Sequence, residues 1–254
     1  MPARRPMSIE ALSPGWGAPA TVRAACTLRS GGVSAGRYAS LNLAAGVGDE
    51  LSAVAENRRR LRTALALPAE PLWLQQMHGT EVFAADGSAA PRRADAAVTH
   101  RDDRVLAILV ADCMPVLLAS EDGAVIGAAH AGWRGLAAGV LEATIAAMDA
   151  DPRGLHAWLG PAIGPAHFEV GDEVRAQFLA ADGRAAAGFA ANARGRWQCD
   201  LALLAKQRLG RAGVTHISAV ERCTYADAAN CYSYRRDGQT GRMAALIWRR
   251  GGEP

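Results

Sequence analysis

Residues 124–148 constrain the fold more than any other part of this chain. The apolar run Ala124-Val125-Ile126-Gly127-Ala128-Ala129 has the length and composition of a buried strand. Behind it, Leu136, Val140, Leu141, Thr144, Ile145 and Met148 recur at helical spacing, which predicts an amphipathic helix over residues 136–148. His130-Ala131-Gly132-Trp133-Arg134-Gly135 stands between the two, so His130 falls at a strand end and the glycines make the turn into a helix. Unpaired backbone N–H groups and the positive end of the helix dipole collect at such a turn. With Arg134 beside them, it suits an anion.

Two other stretches have the same character: Gln75-Gln76-Met77-His78-Gly79 and Ala111-Asp112-Cys113-Met114-Pro115. Each puts a metal-ligating or nucleophilic side chain between a predicted strand and a turn residue. Strand ends in α/β folds are where ligands and reactive groups collect, so His78, Cys113 and His130 are expected to meet.

The rest of the chain alternates strands and helices. Residues 22–28 read as a strand and 29–36 as a glycine-rich loop. A helix starts near Ser52, its expected N-cap, with Val54, Leu61 and Leu65 on one face and Pro68 as the stop. Residues 73–76 and 81–85 read as two strands joined through His78-Gly79, and residues 88–94 as a surface loop. Residues 105–110 are apolar throughout, the pattern of a strand covered on both faces. Strands are also expected over 115–119, 157–160, 215–220 and 244–248, and helices over 172–181 and 201–211. The Ala- and Gly-rich residues 182–195 read as a mobile excursion. Tight β–β connections call for mixed rather than parallel sheets, so the fold class is α/β, as a single domain over 1–254 with residues 1–15 a flexible N-terminal segment.

Half the residues are hydrophobic and the net charge is only +3. The arginines are scattered, and the one basic run, Arg58-Arg59-Arg60, lies in a helical pattern. A nucleic-acid partner is not suggested. No stretch approaches the roughly 20 apolar residues of a membrane span and no apolar segment follows the basic residues 1–10, which predicts a cytoplasmic protein. Five cysteines, an odd number with no Cys-x-x-Cys pair, argue against a disulfide framework.

Two imidazoles and one thiolate suit a zinc or copper ion and leave a fourth position open, as in a catalytic site. Asp112 either orients a ligand histidine or caps a turn. The same residues serve a cysteine hydrolase, with Cys113 as nucleophile, His78 or His130 as base, and Asp112 or Asn42 as orienter.

Taken together, Trp73-Leu74-Gln75-Gln76-Met77-His78-Gly79, Ala111-Asp112-Cys113-Met114-Pro115 and Ala129-His130-Ala131-Gly132-Trp133-Arg134-Gly135 resemble the laccase-domain family. That family is also called the polyphenol-oxidase or purine nucleoside phosphorylase/adenosine deaminase family. Ser40-Leu41-Asn42-Leu43, Glu56-Asn57-Arg58, Leu159-Gly160-Pro161 and Ser233-Tyr234-Arg235-Arg236-Asp237-Gly238 extend the likeness over about residues 22–248. The resemblance implies a layered sandwich of mixed sheets flanked by helices. It also implies one zinc or copper ion on His78, Cys113 and His130. As activity it implies phosphorolysis of adenosine, inosine and methylthioadenosine with inorganic phosphate, and some adenosine deamination. Two departures stand out: a histidine is frequent in the family where Gly46 stands here, and an aromatic residue where Cys231 stands.

The expected partner is therefore a small nucleoside, bound by a monomer or small homo-oligomer. Arg134 is expected to hold phosphate, Asn42 and Arg58 to line the pocket, and Asp112 to shuttle the proton in deamination. His167, Phe168 and the tyrosines at 225, 232 and 234 could line the mouth or stack a base. Two alternatives remain, an amidase acting on a cell-wall precursor and a single-copper polyphenol oxidase. With six histidines and no His-x-His pair, multicopper oxidation is a poor reading.

Overall fold

In the computed structural model, which describes residues 8–87 and 93–250, three sheets carry the fold. The first has five strands in the spatial order Ala11–Leu12, Val22–Thr27, Met243–Arg249, Val105–Val110 and Leu72–Trp73. The second has six, ordered His216–Ala219, Leu155–Leu159, Met114–Ser120, Ile126–Ala131, Ala96–Thr99 and Val82–Ala84. The third joins Glu169–Val170, Trp197–Cys199 and Phe189–Ala191. Parallel and antiparallel pairs occur together in the two large sheets, as the short connections predicted.

Alternation along the strands explains how the layers stack, since successive side chains leave a sheet on opposite faces. Leu106, Ile108 and Val110 of the first sheet pack against Leu117, Ala119, Ile126 and Ala128 of the second. Their neighbours Val105 and Ala107 turn outward to Leu41, Leu43 and Leu61, the last of which lies on the helix Leu51–Ala64. On the far side of the second sheet, Val116 and Leu118 meet Leu136, Leu141, Ile145 and Met148. The order of layers is helix, sheet, sheet, helices. Residues 105–110 are apolar throughout because both faces of their strand are covered.

Several expectations change in the structure. The helix predicted over residues 136–148 is two helices, Trp133–Ala138 and Val140–Met148, broken at Gly139. Gly139 has φ +103°, a conformation that glycine adopts without steric cost, so the break is local to one residue. Ser52 lies inside the helix Leu51–Ala64, whose N-cap is Glu50, two residues before the expected one. Residues 182–195 fold into a short 3₁₀ helix, Gly183–Gly188, and the strand Phe189–Ala191, burying Ala185 and Phe189. Small residues there permit close packing. Residues 88–92 of the expected surface loop and 1–7 of the N-terminal segment lie outside the described residues, while Ala11–Leu12 pairs with Val22–Thr27.

The two strands expected on either side of His78 belong to different sheets. Leu72–Trp73 is in the first and Val82–Ala84 in the second, so the loop bearing His78 crosses between them. Residues 111–113 make a second crossing, from Val105–Val110 to Met114–Ser120. Both crossings open on the same end of the sandwich. No described helix is long and apolar enough to cross a membrane.

Gly139→Ala should cost about 1–2 kcal/mol, the price of a left-handed conformation for an L side chain. The expected result is a lower urea midpoint at unchanged slope.

Candidate metal centre

His78 lies on the first crossing with φ +62°. Its backbone N–H donates to Asp95 Oδ1 at 2.8 Å, while the N–H groups of Met77 and Gly79 donate to Asp95 Oδ2 at 3.0 and 2.7 Å. Asp95 is 1% exposed and immediately precedes the strand Ala96–Thr99. Through that strand it also reaches His130, whose Nδ1 stands 2.9 Å from Asp95 Oδ1 and whose backbone N–H donates to Asp95 O at 2.7 Å. A carboxylate accepts, so Nδ1 of His130 carries the proton and Nε2 is left for a ligand.

Cys113 closes the group from the second crossing. Its partner strand places Pro115 opposite His130, which sets Cys113 across from Gly132. The ligand atoms of His78, Cys113 and His130 lie within 4.8 Å of one another, with Cys113 Sγ 3.8 Å from His78 Nε2. The two imidazoles meet edge to face at 4.8 Å. A Cβ at position 132 would stand 2.8 Å from the sulfur and 3.1 Å from the His78 ring, so only glycine fits there.

The electrostatics match the donor chemistry. Burial opposes ionisation of Cys113, but the charge of His130 and hydrogen bonds from both histidines outweigh it and hold the thiol at about 6. Burial likewise opposes the charge on His130, yet the Cys113 thiolate and Asp95 raise it to about 9. Asp95 resists its own burial through His130 and the loop N–H groups, and stays below the usual carboxylate range. By contrast, burial pushes the thiols of Cys199 and Cys231 up to about 12 and about 11. A thiolate and two imidazoles, one fixed by a carboxylate, fit a zinc or copper ion with one position open.

Of the two roles open to Asp112, orienting a ligand histidine or capping a turn, its contacts are those of the second. It sits at φ +91°, with Oδ1 accepting from Thr224 Oγ1 at 2.6 Å and Oδ2 from the Arg235 N–H at 2.7 Å. Each oxygen thus accepts a hydrogen bond that fixes the crossing carrying Cys113, and the carboxylate orienting a ligand histidine is Asp95. Asn42 lines no open space. It is fully buried and bonds Asp49, Arg242 and both backbone groups of Ala44. Arg58 gives Nε and Nη2 to Leu43 O and stacks over Trp73 at 4.1 Å. Arg134 is exposed, its guanidinium over the Trp133 ring at 4.5 Å.

The other four histidines stand apart from the centre. His100 pairs with Asp86, His156 stacks on His216, and His167 stacks on Tyr225 at 4.5 Å. Tyr232 is fully buried and donates to Tyr38 O, so it packs and stacks no base. Two supporting residues escaped the sequence reading. Asp95 had only its place before an apolar strand as a signal. Gln76 exchanges two 2.8 Å hydrogen bonds with the backbone of Leu109, serving as one more rung at the edge of the first sheet.

Residues 23–250 match the family described as multi-copper polyphenol oxidoreductase laccase. An Escherichia coli protein named purine nucleoside phosphorylase YfiH is 48% identical over 236 residues, covering 92% of this chain and 97% of its own length. A Haemophilus influenzae protein named purine nucleoside phosphorylase is 42% identical, covering 94% of this chain and 99% of its own. Among solved structures, a Neisseria meningitidis protein of family DUF152 superposes with a TM-score of 0.90 at 43% identity, covering 95% of this chain and 99% of its own. YlmD from Geobacillus stearothermophilus gives 0.85 at 31% identity, covering 96% and 99%.

Asp95→Asn should keep the fold and lower metal affinity about 10–100-fold, as loss of a carboxylate behind a ligand histidine does. A competition titration with a chromophoric chelator measures it. In metal-free protein, iodoacetamide should label Cys113 with a rate that rises with pH and is half-maximal at about 6. Cys199, held at about 12, should stay unlabelled at neutral pH.

Proposed function

The chain belongs to the multi-copper polyphenol oxidoreductase laccase family, and on that footing we propose that it is a metal-dependent purine nucleoside phosphorylase. Its proposed substrates are adenosine, inosine and methylthioadenosine with inorganic phosphate, and adenosine deamination is a side activity. The observation that carries the reading is the convergence of His78, Cys113 and His130 on one point, with Asp95 behind two of them. The names of the Escherichia coli and Haemophilus influenzae relatives support the activity.

The word multi-copper fits this chain poorly. Six histidines are present, and among the described residues one cluster of three or more donors forms, with the remaining histidines engaged elsewhere. We read a single ion, held by His78, Cys113 and His130, and zinc or copper both suit that donor set. When bound, such an ion supplies Lewis-acid polarisation at its open position.

In phosphorolysis a phosphate oxygen bonds to C1′ of the ribose while the bond from C1′ to the purine nitrogen breaks. The electron pair of that bond leaves with the base, whose nitrogen takes up the proton that monohydrogen phosphate brings, giving ribose 1-phosphate and the free purine. The protein's work is positioning and charge. Asp95 holds the Nδ1 proton of His130 and fixes the His78 loop, so both imidazoles are oriented before substrate arrives. Asp112 is a positioning residue here, keeping Cys113 at the mouth of the site through Thr224 and Arg235.

A second reading has its own support. A thiol at about 6 beside a protonated His130 is also the ion pair of a cysteine nucleophile, which would cleave an amide through a thioester.

Metal analysis of wild type and Cys113→Ala, run beside phosphate-dependent release of hypoxanthine from inosine, separates the two. One equivalent of metal, lost together with activity in the variant, is the expected outcome. A metal-free wild type that still loses an amidase activity on Cys113→Ala would sink the nucleoside reading.

A further inference from the structure

A phosphorylase needs a cation for phosphate, and the structure moves that role away from the Gly132–Gly135 turn. The helix behind the turn, Trp133–Ala138, is only six residues long, and Arg134 lies on Trp133 in solvent. The neighbouring arginines are engaged. Arg235 gives Nη1 to Glu169 O and lies over Phe168. Arg236 is spread over Asp237 and the carbonyls of Thr224, Tyr225 and Cys231.

Arg242 differs. It directly precedes the strand Met243–Arg249, and the pairing of Met243 with Val110 sets it across from Ala111, beside Asp112 and Cys113. Its backbone N–H donates to Asn42 Oδ1 at 2.9 Å, and Nη1 donates to Thr240 O and Gly241 O at 2.8 and 3.0 Å. The residue is thus fixed at both ends. Among the described residues, Nε and Nη2 have no protein partner, neither is sealed from solvent, and no carboxylate pairs with the guanidinium.

Arg242 is only partly buried, so its unpaired Nε–Nη2 edge is hydrated and open to an anion arriving from solvent. Burial works against the charge of Arg242, and the groups that support it are Cys113 first, then Asp112, Tyr234 and Tyr38. Asp112 accepts from Thr224 and the Arg235 N–H and makes no hydrogen bond with Arg242. Tyr234, 60% exposed, has its ring centroid 5.8 Å from the guanidinium carbon. The free Nε–Nη2 edge is the face that binds an oxyanion with two parallel N–H bonds.

We infer that the Nε–Nη2 edge of Arg242 receives inorganic phosphate beside the His78–Cys113–His130 centre. This rests on the phosphorolysis reading and adds to it the residue that holds the co-substrate. Asn42 gains a function as well, since its side chain fixes the Arg242 backbone rather than touching substrate.

Phenylglyoxal labelling of the metal-loaded wild-type protein, with and without inorganic phosphate and mapped by peptide mass, tests the inference without any substitution. Phosphate should suppress labelling of Arg242 severalfold and leave Arg134 unchanged. Equal labelling of Arg242 in both conditions overturns it. So does an Arg242 that never labels, because its edge is then closed, and so does protection at Arg134 instead. Arg242→Lys keeps the charge and loses the paired edge. It should raise KM for phosphate about tenfold, or about 1.4 kcal/mol, with metal content and KM for inosine unchanged. Protein that protects Arg242 but cleaves no nucleoside would defeat the phosphorolysis reading and keep the anion site. Active protein without protection would do the reverse.

Discussion

One carboxylate holds the centre together. Asp95 accepts from three consecutive backbone N–H groups of the His78 loop and from the ring of His130, and it is almost wholly out of water. Removed from solvent alone, it would take up a proton. Surrounded by four donors it stays charged, and hydrogen bonds to a charged group are worth about 1.5–3 kcal/mol each. The arrangement ties a loop, which would otherwise be free to move, to a strand at the centre of a sheet. Two histidines 52 residues apart in sequence are made into one unit by a side chain that neither motif contains.

Asp112 does the parallel work for the sulfur. His78 and Asp112 are both non-glycine residues with positive φ, a conformation costing about 1–3 kcal/mol at each. Both lie where the chain steps from one sheet to the other. At each, a carboxylate and its donors over-determine the turn: Asp95 receives the N–H of His78, and Asp112 is gripped by Thr224 and Arg235. Two of the four described non-glycine residues with positive φ thus sit at the places that deliver ligands, where hydrogen bonds hold the turns.

Those two anchors also explain what the sequence could and could not reveal. His78, Cys113 and His130 were legible because each is a chemically distinctive residue set between an apolar strand and a turn, and the layers were legible from the runs at residues 105–110 and 124–129. Asp95 was not, since an aspartate after a proline- and arginine-rich stretch has the signature of any loop. Asn42 and Arg58 lie in family-like stretches and hydrogen-bond within the fold, a role that a one-dimensional likeness does not separate from contact with substrate. Arg242 carried no signal at all. Its significance depends on which of its donors are left over, a property only a folded neighbourhood has. The helix break at Gly139 failed for a simpler cause: the apolar period continues straight through it, because both halves bury the same face.

The strand order of the first sheet has a consequence for how the chain is made. Met243–Arg249 lies between Val22–Thr27 and Val105–Val110, so the segment synthesised last among the described strands occupies the middle of the sheet. Until it leaves the ribosome, two apolar strands have exposed edges with no neighbour to pair with. Arg235, whose N–H grips Asp112, emerges only just before it. The centre is thus completed only after this strand has emerged, and the nascent chain must keep two unpaired edges apart from other chains until then.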